Sequence, residues 1–256
     1  DGIRDYKVTG VQTCALPISM MEALSAVPAG DVVLLHGCCH NPTGADLTRE
    51  HWDKIADLAL ERGFIPYIDI AYQGLGEGLD ADAYGVRMMA ERLPELLVAS
   101  SCSKNFGLYR ERTGSITLIA ESAQQAKVVS AQSMSIARQI YSMPPAHGAL
   151  LVSLILGDDQ LRADWQTELE EVRLRIQSMR TLLADGINNN AAGMDFSHIK
   201  QQRGMFSFLG ITSDQLERLR EEFAVYIVGS TRVNLAGINS NNIDYLTQSI
   251  RTVLDS

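Results

Sequence analysis

The sequence lacks the features that mark membrane-spanning, nucleic-acid-binding and disulfide-rich secreted proteins. Its 256 residues contain only four cysteines, and its longest apolar stretches, such as residues 149–156, are too short to cross a bilayer. The formal net charge is −9 and no basic run is present, so we expect no binding to nucleic acid or to anionic membranes. The small number of cysteines, together with the lack of a secretory signal, predicts a location in the reducing cytoplasm.

The composition that remains is typical of a folded globular protein. Hydrophobic residues make up 46% of the chain and charged residues 21%. A chain of this length can bury a sizeable core, either in one large domain or in two smaller ones.

The N-terminal segment, residues 1–19, requires separate treatment. Residues 8–18 read VTGVQTCALPI, which resembles the translation of a sequencing adaptor. We therefore interpret residues 1–19 as a non-native, adaptor-derived segment and exclude them from the fold prediction. On this interpretation the native sequence upstream of Met20 is missing. The alternative is a native N-terminal arm.

Short aliphatic strands alternate with helical patterns in the first half of the chain. Turn residues follow each strand, and helix-capping residues open the helices. This alternation predicts an α/β fold with a mostly parallel sheet and helices on both faces. The loops after the strands should build a ligand site along one edge of that sheet. Strands are predicted at residues 32–36, 64–70, 96–101 and 115–120, and helices at about 46–62, 82–92 and 122–141.

The second half of the chain begins with a long amphipathic helix, predicted at about residues 158–186. Short strands at residues 204–209, 226–228 and 232–235 then alternate with helices at 213–223 and 242–254. This pattern predicts a smaller C-terminal α+β domain. We place a partial large domain at residues 20–171 and the small domain at residues 172–256, joined by the long helix.

Three residues stand out in the loops that follow the predicted strands. Asp69 ends an otherwise apolar strand, where a carboxylate needs a cation or hydrogen-bond donors, although it could also be a capping aspartate. Tyr72 lies three residues further on, in the same loop. Lys104 follows the third strand and is either a solvated surface cation or a nucleophile in a pocket.

Other polar residues allow more than one interpretation. The cluster His36, Cys38, Cys39 and His40 contains soft and imidazole ligands for a metal, yet its spacing is too tight for a closed tetrahedral site. The alternative is a set of small residues packed at a strand end. Arginines such as Arg232 and Arg138 could form surface salt bridges or clamp a carboxylate with two parallel hydrogen bonds.

Taken together, these segments resemble the class I aminotransferases, specifically the aspartate and aromatic-amino-acid subfamily. The segments occur in the family's order between residues 36 and 237. They read HGCCHNPTG at 36–44, DIAYQG at 69–74, SCSKNFGLY at 101–109, ERTG at 111–114, YSMPPAHG at 141–148 and RVNLAG at 232–237. The resemblance implies the pyridoxal-phosphate-dependent transferase fold of aspartate aminotransferase.

The resemblance also implies roles for the residues that bind the cofactor, pyridoxal 5′-phosphate. Lys104 would form the Schiff base and then act as the base, and Asp69 would keep the pyridinium nitrogen protonated. Tyr72 and Asn41 would hydrogen-bond the phenolic oxygen. The phosphate would be held by Ser101, Ser103 and Arg112.

The same resemblance implies the substrates and the assembly. Arg232, with Asn41 beside it, would bind the α-carboxylate of the amino acid. Arg138 is similar to the arginine that reaches across a homodimer interface to a distal carboxylate. The implied reaction moves the amino group of aspartate or an aromatic amino acid to 2-oxoglutarate. No bound metal is expected; a pyridoxal-phosphate-dependent lyase and a non-catalytic metal-binding protein are the alternatives.

One departure from the family pattern affects the expected activity. The family has a large N-terminal portion, with a glycine-rich phosphate loop and an aromatic ring that stacks on the cofactor, and neither is found here. We therefore expect the chain as written to be a fragment that exposes apolar surface, dissolves poorly and has impaired activity.

Overall fold

The computed structural model describes residues 16–190 and 192–255, with side chains from Met20 onward. The adaptor-like stretch at residues 8–18 lies almost wholly outside the described residues, and the interpretation of residues 1–19 stays a prediction. The first described element is helix α1, Leu16–Ser25.

A four-stranded sheet forms the centre of the first half of the chain. Its order is β1-β2-β3-β4; the first three strands are parallel, and β4 runs antiparallel to β3. The mostly parallel, helix-flanked sheet confirms the predicted α/β class. The strands are β1 Val32–His36, β2 Ile65–Ile70, β3 Leu96–Ser101 and β4 Gly114–Ile119; the helices are α2 Arg49–Arg62, α3 Leu79–Asp82, α4 Tyr84–Arg92, α5 Ala123–Ile140 and α6 His147–Gly157.

Local sequence signals explain where these elements begin and end. The Thr48 side chain caps α2 by accepting a hydrogen bond from the backbone N–H of His51. The His51 side chain in turn accepts a hydrogen bond from the backbone N–H of Thr48. Gly63 ends the helix in the left-handed conformation. In β2 alternate residues are buried, which places Ile68 and Ile70 in the core and leaves Asp69 on the opposite face.

Helix α7, Asp159–Asn188, joins two hydrophobic cores. Leu169 packs into the core formed by the sheet and α1, α2 and α4. Ile176 and Leu183 instead belong to a second core, formed with the C-terminal elements. The boundary that we place between residues 171 and 172 stays a prediction. The C-terminal elements are α8 His198–Gln201, β5 Phe206–Phe208, α9 Ser213–Phe223, β6 Arg232–Asn234, a short 3-10 helix at Leu235–Gly237 and α10 Ile243–Leu254.

One expectation about a single element was wrong. Residues 226–228 form no strand: β5 pairs only with β6 in this sheet, and Tyr226 is 80% exposed. The apolar run at residues 149–156 lies within α6. A continuous apolar run lacks the periodicity that distinguishes a helix from a buried strand.

Large apolar side chains are exposed on β4, α5 and α6. They include Ile116, Met134, Ile140, Leu150 and Leu154. None of the helices in the described part of the chain combines the length and the apolar character needed to cross a membrane.

Candidate active site

The residues singled out from the sequence converge where the three parallel strands end. We call the loops that follow β1, β2 and β3 (residues 37–48, 71–78 and 102–113) the rim. The strand register sets His36 at the end of β1 opposite Asp69 on β2, and Asp69 in turn opposite Ala99 on β3. Because parallel strands end at one edge of the sheet, their loops share one site.

The ammonium group of Lys104 lies above the ring of Tyr72, with Nζ 4.6 Å from the ring centroid. This geometry is a cation–π contact. Among residues 16–190 and 192–255, Lys104 forms no ion pair with a carboxylate. The structure therefore brings Lys104 and Tyr72, both singled out from the sequence, into contact at one edge of the sheet.

Tyr72, in the loop after β2, is 8% exposed. Burial raises the pKa of this phenol, because a phenolate would lose its hydration, and the nearby Tyr109 and the carboxylate of Asp69 act in the same direction. A side-chain hydrogen bond with Asn41 opposes the rise. The net result is a neutral phenol that can donate a hydrogen bond.

The loop that carries Lys104 is held in place from α7. The indole N–H of Trp165 donates to the backbone oxygen of Asn105 at 2.7 Å, and the Trp165 ring stacks on Phe106 at 4.3 Å between centroids. The side chain of Asn105 donates to the backbone oxygen of Gln73. Trp165 lies within the long amphipathic helix predicted at about residues 158–186, and nothing in its periodicity indicates a contact with the lysine loop.

Asn41 and Arg232 connect the rim to the small C-terminal sheet. The Nη1 of Arg232 donates to the side-chain oxygen of Asn41 at 3.0 Å. The guanidinium carbon of Arg232 lies 4.5 Å from the centroid of the Phe206 ring, and that ring meets Tyr72 edge-on at 6.5 Å. Sequence analysis did not single out Phe206, because its contacts are with residues far away in the chain.

Ser101, Ser103 and Arg112 lie at the end of β3 and in the loop after it. The backbone N–H of Ser103 donates to the hydroxyl of Ser101 at 3.1 Å, and Ser103 is buried. Arg112 adopts a positive φ of 53° and is exposed; its guanidinium donates to the backbone oxygen of Tyr109. The hydroxyl of Ser101 and the remaining N–H groups of Arg112 are thus available to an anion.

Arg138 lies apart from these residues. It is exposed near the end of α5, a helix that has no buried residue. Within the described part of this chain it makes no hydrogen bond to a rim residue. The prediction that it acts on the site of a second copy stays a prediction.

The histidines and cysteines of the first loop do not assemble as the metal-binding alternative requires. The Nδ1 of His36 accepts from the backbone N–H of Asn41, and the Nδ1 of His40 pairs with the hydroxyl of Thr43 at 2.7 Å. The described residues group Cys38 and Cys39 with Asp82, not with the histidines.

The third member of that group is already engaged by the backbone. The carboxylate of Asp82 accepts backbone N–H bonds from Gly74, Gly76 and Glu77 at 2.7–3.0 Å. A side-chain hydrogen bond with Cys39, together with burial, raises the pKa of the Cys38 thiol, so the cysteine is held as a neutral thiol. Since a metal ligand must be the thiolate, this grouping fits a packed core better than an ion site.

The imidazole of His40, in the first rim loop, has a lowered pKa. Burial, with the neighbouring ring of His36 at 4.4 Å, lowers its pKa to about 4. His40 is therefore neutral at physiological pH, with Nδ1 as an acceptor.

Comparisons with known proteins agree with this geometry. The family model for aminotransferase class I and II matches residues 4–250. The aspartate aminotransferase of Haemophilus influenzae is 51% identical over 98% of this chain, and the aromatic-amino-acid aminotransferase of Pseudomonas aeruginosa is 47% identical over 92% of it. The chain spans 64% and 59% of the lengths of these two relatives.

A solved structure gives the corresponding three-dimensional match. The aromatic-amino-acid aminotransferase of Burkholderia pseudomallei, covalently bound to pyridoxal phosphate, superposes with a TM-score of 0.91 at 42% identity. The superposition covers 93% of this chain and 60% of that structure.

Proposed function

The chain belongs to the aminotransferase class I and II family, and from this premise we propose that the protein transfers the amino group of aspartate or an aromatic amino acid to 2-oxoglutarate. The observation that carries the proposal is the Lys104 ammonium, which lies over the Tyr72 ring without a carboxylate partner among the described residues. A lysine placed this way is available for covalent chemistry.

The side chains of the rim fit pyridoxal 5′-phosphate as a cofactor. The lysine amine suits its aldehyde, and the carboxylate on a strand end suits its ring nitrogen. The neutral phenol suits its phenolic oxygen, and the hydroxyls beside a guanidinium suit its phosphate. When bound, the cofactor supplies an electron sink for the negative charge that develops at the substrate α-carbon.

Lys104 has two roles in this proposal. Its Nζ binds the cofactor covalently and, once displaced by the amino group of the substrate, accepts the proton from the substrate α-carbon. The contact with the Tyr72 face orients the amine, and the Trp165 bond to the lysine loop limits its movement.

Asp69 and the pair formed by Tyr72 and Asn41 adjust the charge of the cofactor ring. The Asp69 carboxylate accepts no side-chain hydrogen bond from another described residue, so it is available to hold a proton on the ring nitrogen. The Tyr72 phenol, kept neutral by burial, donates to the phenolic oxygen with Asn41 beside it. Both interactions favour proton removal from the substrate.

The carboxylate of the substrate is bound by Arg232, and the phosphate of the cofactor by Ser101, Ser103 and Arg112. Stacking on Phe206 and one bond to Asn41 leave the other N–H groups of the Arg232 fork for a carboxylate. We propose further that a homodimer brings Arg138 to a distal carboxylate, and that the protein acts in the cytoplasm on amino acids and 2-oxo acids.

Reductive labelling tests the covalent role of Lys104. The purified chain is mixed with pyridoxal 5′-phosphate, reduced with borohydride and digested, and the modified lysine is located by mass spectrometry. We expect the label on Lys104 and its loss in Lys104→Ala, while Lys127→Ala on exposed helix α5 keeps it. Label distributed equally over surface lysines would contradict the proposal.

Competition and product analysis test the substrate class. Aspartate or tyrosine, added before reduction, should lower the label on Lys104, because the incoming amino group displaces the lysine. The products should be 2-oxo acids and no free ammonia. Ammonia release with a cysteine-type substrate would favour the lyase instead.

A further inference from the structure

A buried arginine on α7 lies behind the rim. Arg180 is 1% exposed, and its guanidinium donates only to backbone oxygens: those of Ile199, Arg203, Gly204 and Phe206, at 2.6–3.2 Å. No described residue offers it a carboxylate within ion-pair distance. A buried cation is costly, so several well-placed acceptors are needed to hold it.

The oxygens that Arg180 holds belong to the segment that packs against the first rim loop. The backbone N–H of Arg203 donates to the oxygen of Gly44 at 2.8 Å. Gly44 has a φ of +73°, and a Cβ there would lie 2.5 Å from the backbone oxygen of Phe206. The loop that carries Asn41 and the segment that leads into β5 are therefore in direct backbone contact, with Arg180 beside the contact.

A short path of contacts leads from Arg180 to the proposed carboxylate-binding group. Arg180 fixes the backbone oxygen of Phe206; the ring of Phe206 supports the guanidinium of Arg232; and Arg232 donates to Asn41. Each of these contacts involves a buried or half-buried group. A shift of residues 203–206 would therefore move the aromatic face on which Arg232 rests.

We propose that Arg180 is a positioning residue for Arg232: by binding the backbone oxygens of residues 199–206 it sets the Phe206 ring, and so the orientation of the guanidinium that binds the substrate carboxylate. This inference deepens the proposed function and rests on it for the identity of the ligand. The positioning itself rests only on contacts within the chain.

Burial lowers the pKa of Arg180 to about 10, so the guanidinium stays charged at neutral pH and keeps its donors. Its effect on the site does not depend on titration in the physiological range. What matters is the number and direction of its N–H groups, which lysine cannot reproduce.

The test compares Arg180 with Arg175, which provides a matched control on the same helix. Arg175 also donates to two backbone oxygens, those of Ala236 and Ile238, at 3.0 Å, but these lie in the 3-10 helix and directly after it, not in the Phe206 segment. The variants are Arg180→Lys, Arg180→Met and Arg175→Met, with Arg232→Lys to assign the signal of interest.

The first measurement is the NMR signal of the Arg232 Nε–H group, which needs no ligand. A group stacked on the face of an aromatic ring resonates upfield, so this signal should lie upfield in the parent protein. In Arg180→Lys and Arg180→Met we expect the chemical shift of this signal to move towards that of an unstacked arginine. In Arg175→Met we expect the chemical shift to be unchanged. Where Arg180→Met does not fold, Arg180→Lys gives the answer.

The second measurement is the binding of 2-oxoglutarate by calorimetry. Misplacement of one charged hydrogen-bond donor should weaken binding by about tenfold in Arg180→Lys and leave it unchanged in Arg175→Met. An unchanged Arg232 signal and unchanged binding in Arg180→Lys, with only stability lowered, would show that Arg180 is merely structural. If the signal moves but no variant, including the parent, binds 2-oxoglutarate, the positioning stands and the proposed function fails.

Discussion

Acidification should destabilise the fold through one histidine, His40. In the folded chain the Nδ1 of His40 accepts from the hydroxyl of Thr43 at 2.7 Å and from the Thr43 backbone N–H at 3.4 Å. Protonation of Nδ1 would replace an acceptor by a donor, which breaks the contact with the Thr43 backbone N–H and forces the Thr43 hydroxyl to turn from donor to acceptor. It would also place a charge beside the ring of His36, 4.4 Å away.

The size of the effect follows from the pKa. The folded chain holds the pKa of His40 at about 4, whereas the unfolded chain has the ordinary value of 6.5. Below pH 6.5 the unfolded state therefore binds more protons, and the stability that is present above this pH is lost as the pH falls towards 4. At about pH 4.5 the loss should be about 2 kcal/mol, after allowance for the partial exposure of the ring.

Urea unfolding, followed by circular dichroism at about pH 7 and about pH 4.5, measures this loss. His40→Asn keeps an acceptor oxygen near the position of Nδ1 but does not titrate. The stability that it loses between the two pH values should therefore be about 2 kcal/mol smaller than the loss in the parent protein. His51→Gln is the control, because it also removes a histidine and glutamine already completes the equivalent capping box of α9 at Gln215.

Comparing the parent with His40→Asn removes the contribution of other titrating groups to the loss of stability in acid. Burial raises the pKa values of Asp46 and Asp82, so their protonation stabilises the fold as the pH falls and acts against the His40 effect. Both carboxylates are present in every variant, and their contribution cancels in the difference. An acid loss that is equal in the parent and in His40→Asn would refute the assignment to His40.

Three further substitutions test the contacts that shape the site and the cores. Asp82→Asn should lower stability by about 2–3 kcal/mol in urea unfolding, because one amide oxygen cannot accept from all three backbone N–H groups that the carboxylate serves, whereas Asp80→Asn, whose side chain is 91% exposed, should change it by less than about 0.5 kcal/mol; equal effects would disprove this role. Leu183→Ala should cost about 3 kcal/mol and Leu182→Ala, 46% exposed, less than about 1 kcal/mol; a reversed order would contradict the core assignment. Gly44→Ala should cost at least about 2 kcal/mol, since its Cβ would meet a backbone oxygen at 2.5 Å, and an unchanged thermal midpoint would show that the two loops are not in contact.

Much of the first half of the fold was predictable because its signals are local. The strands at residues 32–36 and 96–101 have the predicted bounds, since each is a short aliphatic run followed by turn residues. The rim residues follow from the same pattern, because parallel strands place their C-terminal ends together. This spacing alone predicts that Asp69, Tyr72 and Lys104 lie at one edge of the sheet.

The contacts that hold the site together were not predictable from local patterns. Trp165 is one apolar residue of a predicted amphipathic helix, yet its N–H donates to the lysine loop 60 residues away. Arg180 reads as one more charged residue on an amphipathic helix, and only the folded chain shows it buried. Phe206 lies in a short strand and carries no motif. Each of these depends on long-range packing, which periodicity does not encode.

The site therefore has two parts that are fixed by different forces. Asp69, Tyr72 and Lys104 are set by the register of the parallel strands and by Trp165, so their geometry depends on the first core. Arg232 reaches the same place from the small sheet, through Phe206 and the buried Arg180. The two parts meet through the Arg232–Asn41 bond, the Gly44 contact and the Phe206 ring, which packs against the first core and meets Tyr72 edge-on. A substitution in the second core should consequently weaken carboxylate binding more than it changes the covalent labelling of Lys104.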